Sequence, residues 1–261
     1  MTETLRAESI SRFYGKKEVL KNIELSVKKG ESLGIIGPNG SGKTSLLELL
    51  SKVAKPERGK IYYENRELSD YSNKELAQSL AVLQQDSLPL LDFSVRQVVK
   101  MGRYPYQNWL GEEDKNIEAF IDEILEKMSL TSLENRELNQ LSGGERQRVA
   151  LAKVMAQEPS LVMLDEPTTY LDIGHQIQLM DQIKNWQKES GLTVISVLHD
   201  LNLAALYCER LVLMKDGQII KVGAAEEIIE KEIIEEVYGT RPIIISHPSA
   251  KVPQVILEEN S

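Results

Sequence analysis

The run Gly37-Pro38-Asn39-Gly40-Ser41-Gly42-Lys43-Thr44, continued by Ser45, carries the residue types that bind a phosphate chain. It satisfies the pattern G-x-x-x-x-G-K-[ST] at every fixed position. Glycines let the backbone curl until several N–H groups converge, and a helix starting behind them adds its own unpaired donors. Lys43 then reaches the β- and γ-phosphates, and the Thr44 hydroxyl takes one position on Mg²⁺. Hydrolysis also needs a further hold on the metal and a group that orients water. Asp165 ends the apolar run Leu161-Val162-Met163-Leu164, the Walker B arrangement, and Glu166 follows directly as a carboxylate able to orient water or take its proton. Gln85, after Leu80-Ala81-Val82-Leu83, could bridge Mg²⁺. His199, behind another apolar run, could hydrogen-bond the γ-phosphate, although a lone histidine at a strand end is more often structural.

A second string, Leu141-Ser142-Gly143-Gly144-Glu145-Arg146-Gln147, also opens a helix. A serine cap and two glycines make another helix start suited to an anion. One chain does not need two such starts for one triphosphate. Shared between two copies, each nucleotide would lie between the phosphate loop of one and Ser142, Gly143 and Gly144 of the other. A simple cap would explain Ser142 but not the whole string.

Elements must hold these groups. Ser32 to Ile36 is a short apolar run, read as a buried strand, and Leu46, Leu49, Leu50 and Val53 recur at helical spacing behind the loop. Leu5 to Tyr14, the alternating Ile23, Leu25 and Val27, and Ile61 with Tyr63 read as strands of an antiparallel apron. Helical spacing then takes over: Val95, Val98 and Val99 with Asp92 or Ser94 as cap, then Ile117, Ile121, Ile124, Leu125 and Met128. Between them Met101 to Trp109 is too rich in Gly, Pro and aromatics for a regular element, and reads as a contact surface or as local packing. Leu161 to Leu164 and Leu192 to Leu198 are further buried strands with polar residues at their carboxyl ends. That is the pattern of an open α/β sheet with its ligand there. Leu211 to Val222 reads as a hairpin around Asp216-Gly217, Ala225 to Val237 as a final helix, and the tail past Thr240 as loop or short edge strand.

At 261 residues, with 41% hydrophobic and 27% charged residues, the chain is ordinary for a globular protein of one large domain or two lobes. A net charge of −9 argues against a nucleic-acid partner, which needs a basic surface. No apolar run has the length of a membrane span and Met1 to Thr4 lacks signal-peptide character, so a cytoplasmic chain is expected. Cys208 is the only cysteine, which excludes an internal disulfide, and it reads as a packed thiol in a helical pattern. No His, Cys or acidic cluster is spaced to complete a metal site with His175.

Together the phosphate loop, Gln85, Leu141 to Gln147, Asp165-Glu166, Tyr170-Leu171-Asp172 and His199 resemble the ATP-binding cassette family, in order and separation, across nearly the whole chain. The resemblance implies an α/β P-loop NTPase core of RecA-like type with an antiparallel β subdomain and an inserted helical subdomain. Residues 1–91 and 158–261 would form the core and 92–157 the helical part. It implies Tyr14 stacking on adenine, so that the nucleotide is ATP with Mg²⁺, and Asp172 at the interface of a homodimer. Catalytic parts fall to Glu166, His199, Lys43 and Gln85, and the metal to Thr44, Gln85 and Asp165. Met101-Gly102-Arg103-Tyr104-Pro105-Tyr106, Leu171 to Gln176 and Leu198 to Asn202 resemble the ATPases of iron–siderophore, haem and cobalamin importers. Those ATPases grip a membrane permease on its cytoplasmic side, served by an extracytoplasmic solute-binding protein. Gln84 stands where many relatives have proline. The rival implied by the wider family is a soluble cassette ATPase serving iron–sulfur assembly. Coiled-coil heptads of the chromosome-organising branch, and the guanine-reading motif of GTPases, do not occur in the sequence.

Overall fold

The computed structural model describes residues 2–84, 88, 92–107, 116–169 and 171–257. Gln85, Asn108, Trp109 and Tyr170, singled out above, lie outside them.

Two long strands open the chain, β1 (Glu3–Tyr14) and β2 (Lys17–Lys28), then the short β3 (Ser32–Ile36) leads to helix α1 (Lys43–Leu50). Strands β4 (Arg58–Tyr63) and β5 (Arg66–Glu67), helix α2 (Asn73–Ala77) and strand β6 (Leu80–Leu83) follow. Helices α3 (Val95–Met101), α4 (Ile117–Lys127) and α5 (Gly143–Ala156) precede β7 (Leu161–Asp165), α6 (Ile173–Ser190) and β8 (Thr193–Val197). The chain continues through α7 (Leu201–Tyr207), β9 (Arg210–Lys215), β10 (Gln218–Gly223), α8 (Ala225–Ile228) and α9 (Lys231–Tyr238). A hairpin of β11 (Ile243–Ser246) and β12 (Pro253–Ile256) ends it.

The chain divides into two compact units, one of residues 1–70 with 193–261, the other of 71–192. In the first, β2-β1-β4-β5 form an antiparallel sheet. Beside β3 run β8 and β9, both parallel to it, with β10 antiparallel on β9. Every residue of β3 and β8 is buried, which is why both read as continuous apolar runs rather than alternating ones. Asp216 and Gly217 both take positive φ (49° and 79°), as the tight turn of the β9–β10 hairpin requires.

In the second unit β6 pairs with β7 in parallel, and α3 and α4 pack on α5. Ser94, not Asp92, caps α3: its hydroxyl accepts from Gln97 N (3.3 Å) while Gln97 returns a bond to Ser94 N (2.8 Å).

Two sequence readings change, and for the tail the structure chooses the short strand over the loop. The final helix is two helices, because the chain leaves helical geometry at Ile229 (φ −92°, ψ 64°) although the apolar spacing runs straight through. Cys208 lies just past α7 rather than inside it, its sulfur so close to β3 that a Cβ on Gly34 would fall 2.8 Å away. The tail is a two-stranded hairpin fastened to α7 by Asn202, whose amide Oδ1 accepts from Val255 N (2.7 Å) and whose Nδ2 donates to Val255 O (3.2 Å). Among the described helices none is long and apolar enough to cross a membrane.

Candidate functional site

The phosphate loop hangs between β3 and α1 in the first unit. Gly37, Gly40 and Gly42 have φ of +151°, +78° and +102°, a region that glycine enters at little cost. Two of them are also pressed from outside. A Cβ on Gly37 would stand 2.2 Å from the Met214 carbonyl oxygen on β9, and one on Gly42 would stand 2.8 Å from Leu20 Cδ2. The Gly217 N–H donates to Ser41 O (3.0 Å), so the β9–β10 turn holds the loop from behind. Helix α1 starts at Gly42 with no side-chain acceptor at its cap and no acidic residue in its first turn. Lys43 is buried, its Nζ donating to the carbonyls of Gly37 (2.8 Å) and Pro38 (3.1 Å) across the curl. Ser41 Oγ is buried with no hydrogen-bond partner. An uncapped helix start, a buried ammonium and an orphaned hydroxyl fit an incoming anion such as a triphosphate with its divalent cation, and nothing acidic on the loop opposes it.

Two supports escaped sequence reasoning: Tyr238 behind the loop, and the Arg12–Glu48 pair that holds the expected Tyr14 ring. The phenol oxygen of Tyr238, the last residue of α9, accepts from the backbone N–H of Gly37, and burial pushes that phenol well above the ordinary value. Tyr14 is half exposed, with the Arg12 guanidinium 4.6 Å from its ring centroid. Arg12 in turn pairs with Glu48 of α1 (2.7 Å), which also accepts from the Tyr14 hydroxyl (3.3 Å). One face of the ring is therefore covered, and its orientation is tied to the helix behind the phosphate loop. His199 follows β8 as an exposed residue, directly ahead of Asp200, whose carboxylate caps α7 by accepting from Asn202 N (2.7 Å) and Leu203 N (3.1 Å).

The second unit carries the other predicted groups. Asp165 is the last residue of β7, and Glu166 takes φ +50°, a strained value for a non-glycine residue. Such outliers persist only where surroundings over-determine them, and they cluster at active sites. The Thr169 N–H donates to Glu166 O (3.1 Å) and its hydroxyl to Glu166 Oε2 (3.3 Å), folding the turn round that carboxylate. Ser142 caps α5: its hydroxyl accepts from Glu145 N (3.3 Å) while Glu145 Oε2 accepts from Ser142 N (2.7 Å). The Ser142 backbone N–H, followed by its hydroxyl, holds the Glu145 carboxyl below its ordinary pKa. A Cβ on Gly143 would meet nothing, whereas one on Gly144 would stand 3.1 Å from the His175 ring.

That ring is set by Asp172, the cap of α6, which accepts from His175 N (2.9 Å) and lies 2.8 Å from His175 Nδ1. The His175 backbone N–H is the chief cause that lowers the Asp172 carboxyl, followed by its imidazole. His175 thus packs on the start of α5, and among the described residues no cluster of His, Cys, Asp or Glu could hold a metal. Gln147, one turn into α5, donates from Nε2 to the Pro167 carbonyl (2.9 Å), tying the Ser142 helix to the segment after Glu166. No local pattern announces that bond, because its partners are twenty residues apart.

Comparison with known proteins places the chain. A family described as ABC transporter matches residues 20–169. The ferric enterobactin transport ATP-binding protein FepC of Escherichia coli is 38% identical over 259 residues, which cover 98% of this chain and 96% of that protein. The petrobactin import ATP-binding protein YclP of Bacillus subtilis is 37% identical over 241 residues, covering 92% and 94%. An uncharacterized ABC transporter ATP-binding protein, YvrA of the same organism, is 41% identical over 255 residues, but the chain spans only 58% of its length. Among solved structures, cbiO1 of Clostridium perfringens, part of the transporter complex cbiONQ, has a TM-score of 0.78 at 32% identity, covering 91% of this chain and 95% of that one. The dimeric cassette MJ0796 bound to ADP and Pi has a TM-score of 0.73 at 29% identity, covering 84% and 98%. The phosphate loop and the Ser142 helix start are thus those of a chain that belongs to the ABC transporter family, among its ATP-binding subunits.

Proposed function

We propose that this ATPase is the motor subunit of an importer, and that two copies binding two ATP molecules drive uptake of an iron–siderophore complex through a membrane permease. The observation that carries the reading is the phosphate loop, with its three left-handed glycines and the buried Lys43 bridging the curl. The relatives named for ferric enterobactin and petrobactin support the choice of cargo. The dimeric relative supports the paired arrangement. The chain would sit at the cytoplasmic side of the membrane, bound to the permease, which a solute-binding protein loads from the other side.

In this reading Lys43 and the loop N–H groups from Gly37 to Ser45 hold the β- and γ-phosphates, and Tyr14 lays its free ring face against adenine. Thr44, Gln85 and Asp165 would hold Mg²⁺, which supplies neutralisation of the phosphate charge. Glu166 orients the attacking water and takes its proton. His199 donates to the γ-phosphate from the first unit. Ser142, Gly143 and Gly144 of a second copy present the start of their helix to the same phosphate, with Asp172 at the interface between the copies. Positioning and electrostatics, rather than covalent chemistry, then lower the barrier.

The test is to identify a permease and a solute-binding protein among the products of neighbouring genes and reconstitute them with this chain, in vesicles supplied with ATP on the subunit's side. Uptake of ferric siderophore that requires ATP is the expected result. Neighbouring genes encoding only iron–sulfur scaffold proteins, or turnover at full rate by a strictly monomeric chain, would overturn the reading.

A further inference from the structure

Burying a charged side chain is costly unless it is paired and hydrogen-bonded, so a fully buried arginine asks what it holds. Arg103 is 2% exposed. It belongs to no catalytic or nucleotide-binding segment. Its Nη1 donates to the carbonyl of Ala156, the last residue of α5 (2.8 Å), and to Glu158 Oε2 (2.6 Å). Glu158 itself sits at φ +48°. The guanidinium lies over two rings, Tyr106 at 4.1 Å and Phe120 at 5.1 Å. The stack orients it and compensates part of its desolvation.

The contacts around it form one lock on the end of α5. Gly102 lies so close to that helix that a Cβ there would stand 2.2 Å from Lys153 O. The Tyr106 hydroxyl is within reach of two carbonyls, Gln157 (3.0 Å) and Gln78 (3.1 Å). Gln157 Nε2 donates to Ala77 O (2.6 Å) and Leu80 O (2.8 Å), and Gln78 Nε2 to Pro105 O (3.0 Å). So the segment 102–106, the end of α5 and the entry to β6 are joined by side chains that spend their polar groups on one another's backbone. The last carbonyls of a helix have no partner within it, and here they are met from a single segment. Tyr104, next to the buried arginine, is 77% exposed, the most exposed aromatic among the described residues. An exposed aromatic on a backbone held at both neighbours has the form of an interface contact that loses little backbone entropy on binding.

We propose that Arg103 is a positioning residue that couples the exposed Tyr104 face to α5, so that a push at Tyr104 is delivered to the Ser142–Gly144 end of that helix. The inference rests on the proposed binding of this subunit to a permease, and takes the exposed Tyr104 face as the contact. Without Arg103 the lock keeps only the Tyr106 and Gln78 bonds and the Gly102 packing, so segment 102–106 follows α5 less closely and the permease contact moves the helix start less.

The assay compares basal ATPase of the subunit alone with permease-stimulated ATPase and cargo uptake of the complete transporter in vesicles, alongside co-purification of subunit and permease. Arg103→Gln is expected to leave basal kcat and the KM for ATP within about twofold and to preserve co-purification. Stimulation and uptake should fall about tenfold, inside the usual range for coupling between sites. Tyr106→Phe, which deletes one hydroxyl and keeps the ring, is expected to lower stimulation about threefold without loss of folding, a share of the same coupling. It decides the matter if Arg103→Gln does not fold. Unchanged stimulation in both variants, or equal loss of basal and stimulated rates, overturns the proposal. Tyr104→Ala tests the underlying contact separately: co-purification that survives it unweakened overturns the permease reading of this face, whatever the other variants do.

Discussion

Replacing Gly37 by alanine should disable the phosphate loop by a computable route. At φ +151° an L-residue is strained, which costs on the order of 1–3 kcal/mol. The added Cβ would also stand 2.2 Å from the Met214 carbonyl oxygen and 2.9 Å from Ser41 Oγ. Met214 O is backbone on the central β9 strand and cannot swing aside, so the loop must yield, by roughly 1 Å to restore ordinary contact. Lys43 Nζ, hydrogen-bonded to Gly37 O, moves with it. A misplacement of about 1 Å costs on the order of 10²-fold in rate when positioning supplies the catalysis. If the free loop sheds about 1.4 kcal/mol of that strain by leaving the binding geometry, ATP binding weakens about tenfold. Gly40→Ala is the control, since a Cβ there meets nothing and only the backbone strain remains. Fluorescent-nucleotide titration and phosphate-release kinetics read both variants. Wild-type affinity and turnover in Gly37→Ala, or equal damage in Gly40→Ala and Gly37→Ala, would refute the reasoning.

Glu166→Gln keeps the size of the side chain but not its basicity, so hydrolysis should slow by at least ~10²-fold while ATP still binds, checked by single-turnover kinetics beside nucleotide titration. Gln147→Leu removes the donor to Pro167 O; kcat should fall about fivefold with the KM for ATP nearly unchanged, on steady-state kinetics, as expected for a part-buried bond worth about 1 kcal/mol. Glu145 and Asp172 both have carboxyls lowered by the backbone N–H groups they cap. Groups lowered on folding stabilise above their unfolded pKa, and that contribution disappears as pH falls through the folded value. Thermal melts should therefore be flat in this respect at neutral pH and drop on the acid side of the usual carboxylate range. Glu145→Gln should flatten part of that drop.

The residues that hold phosphate were legible because their message is local. A glycine that must take positive φ, a lysine at fixed offset and a serine ahead of a glutamate each act within one turn of chain, so type and spacing suffice. Their supports were not. Tyr238 reaches Gly37 from the other end of the sequence, and Arg12 with Glu48 fixes the Tyr14 ring through a strand and a helix. Gln147 meets Pro167 only because α5 returns the chain beside β7. Each joins residues that neither periodicity nor spacing brings together. The misread final helix has the same origin, since the apolar face of 225–237 runs on through Ile229 while the backbone does not.

Glu166 shows how the two kinds of information combine. Sequence places a carboxylate one residue past the end of a buried strand, where many chains have nothing but a cap. The fold adds a positive φ at that residue and a turn in which Thr169 binds both its carbonyl and its carboxylate. Keeping a non-glycine residue there costs on the order of 1–3 kcal/mol, and glycine would avoid that strain at once. A chain that retains a strained glutamate beside a free choice of glycine is using the carboxylate, and the strain sets its direction. Glu166→Gly should therefore raise the melting temperature or leave it level while abolishing hydrolysis. A variant that both melted lower and still turned over ATP would mean that the glutamate is there for the turn, and not for the water.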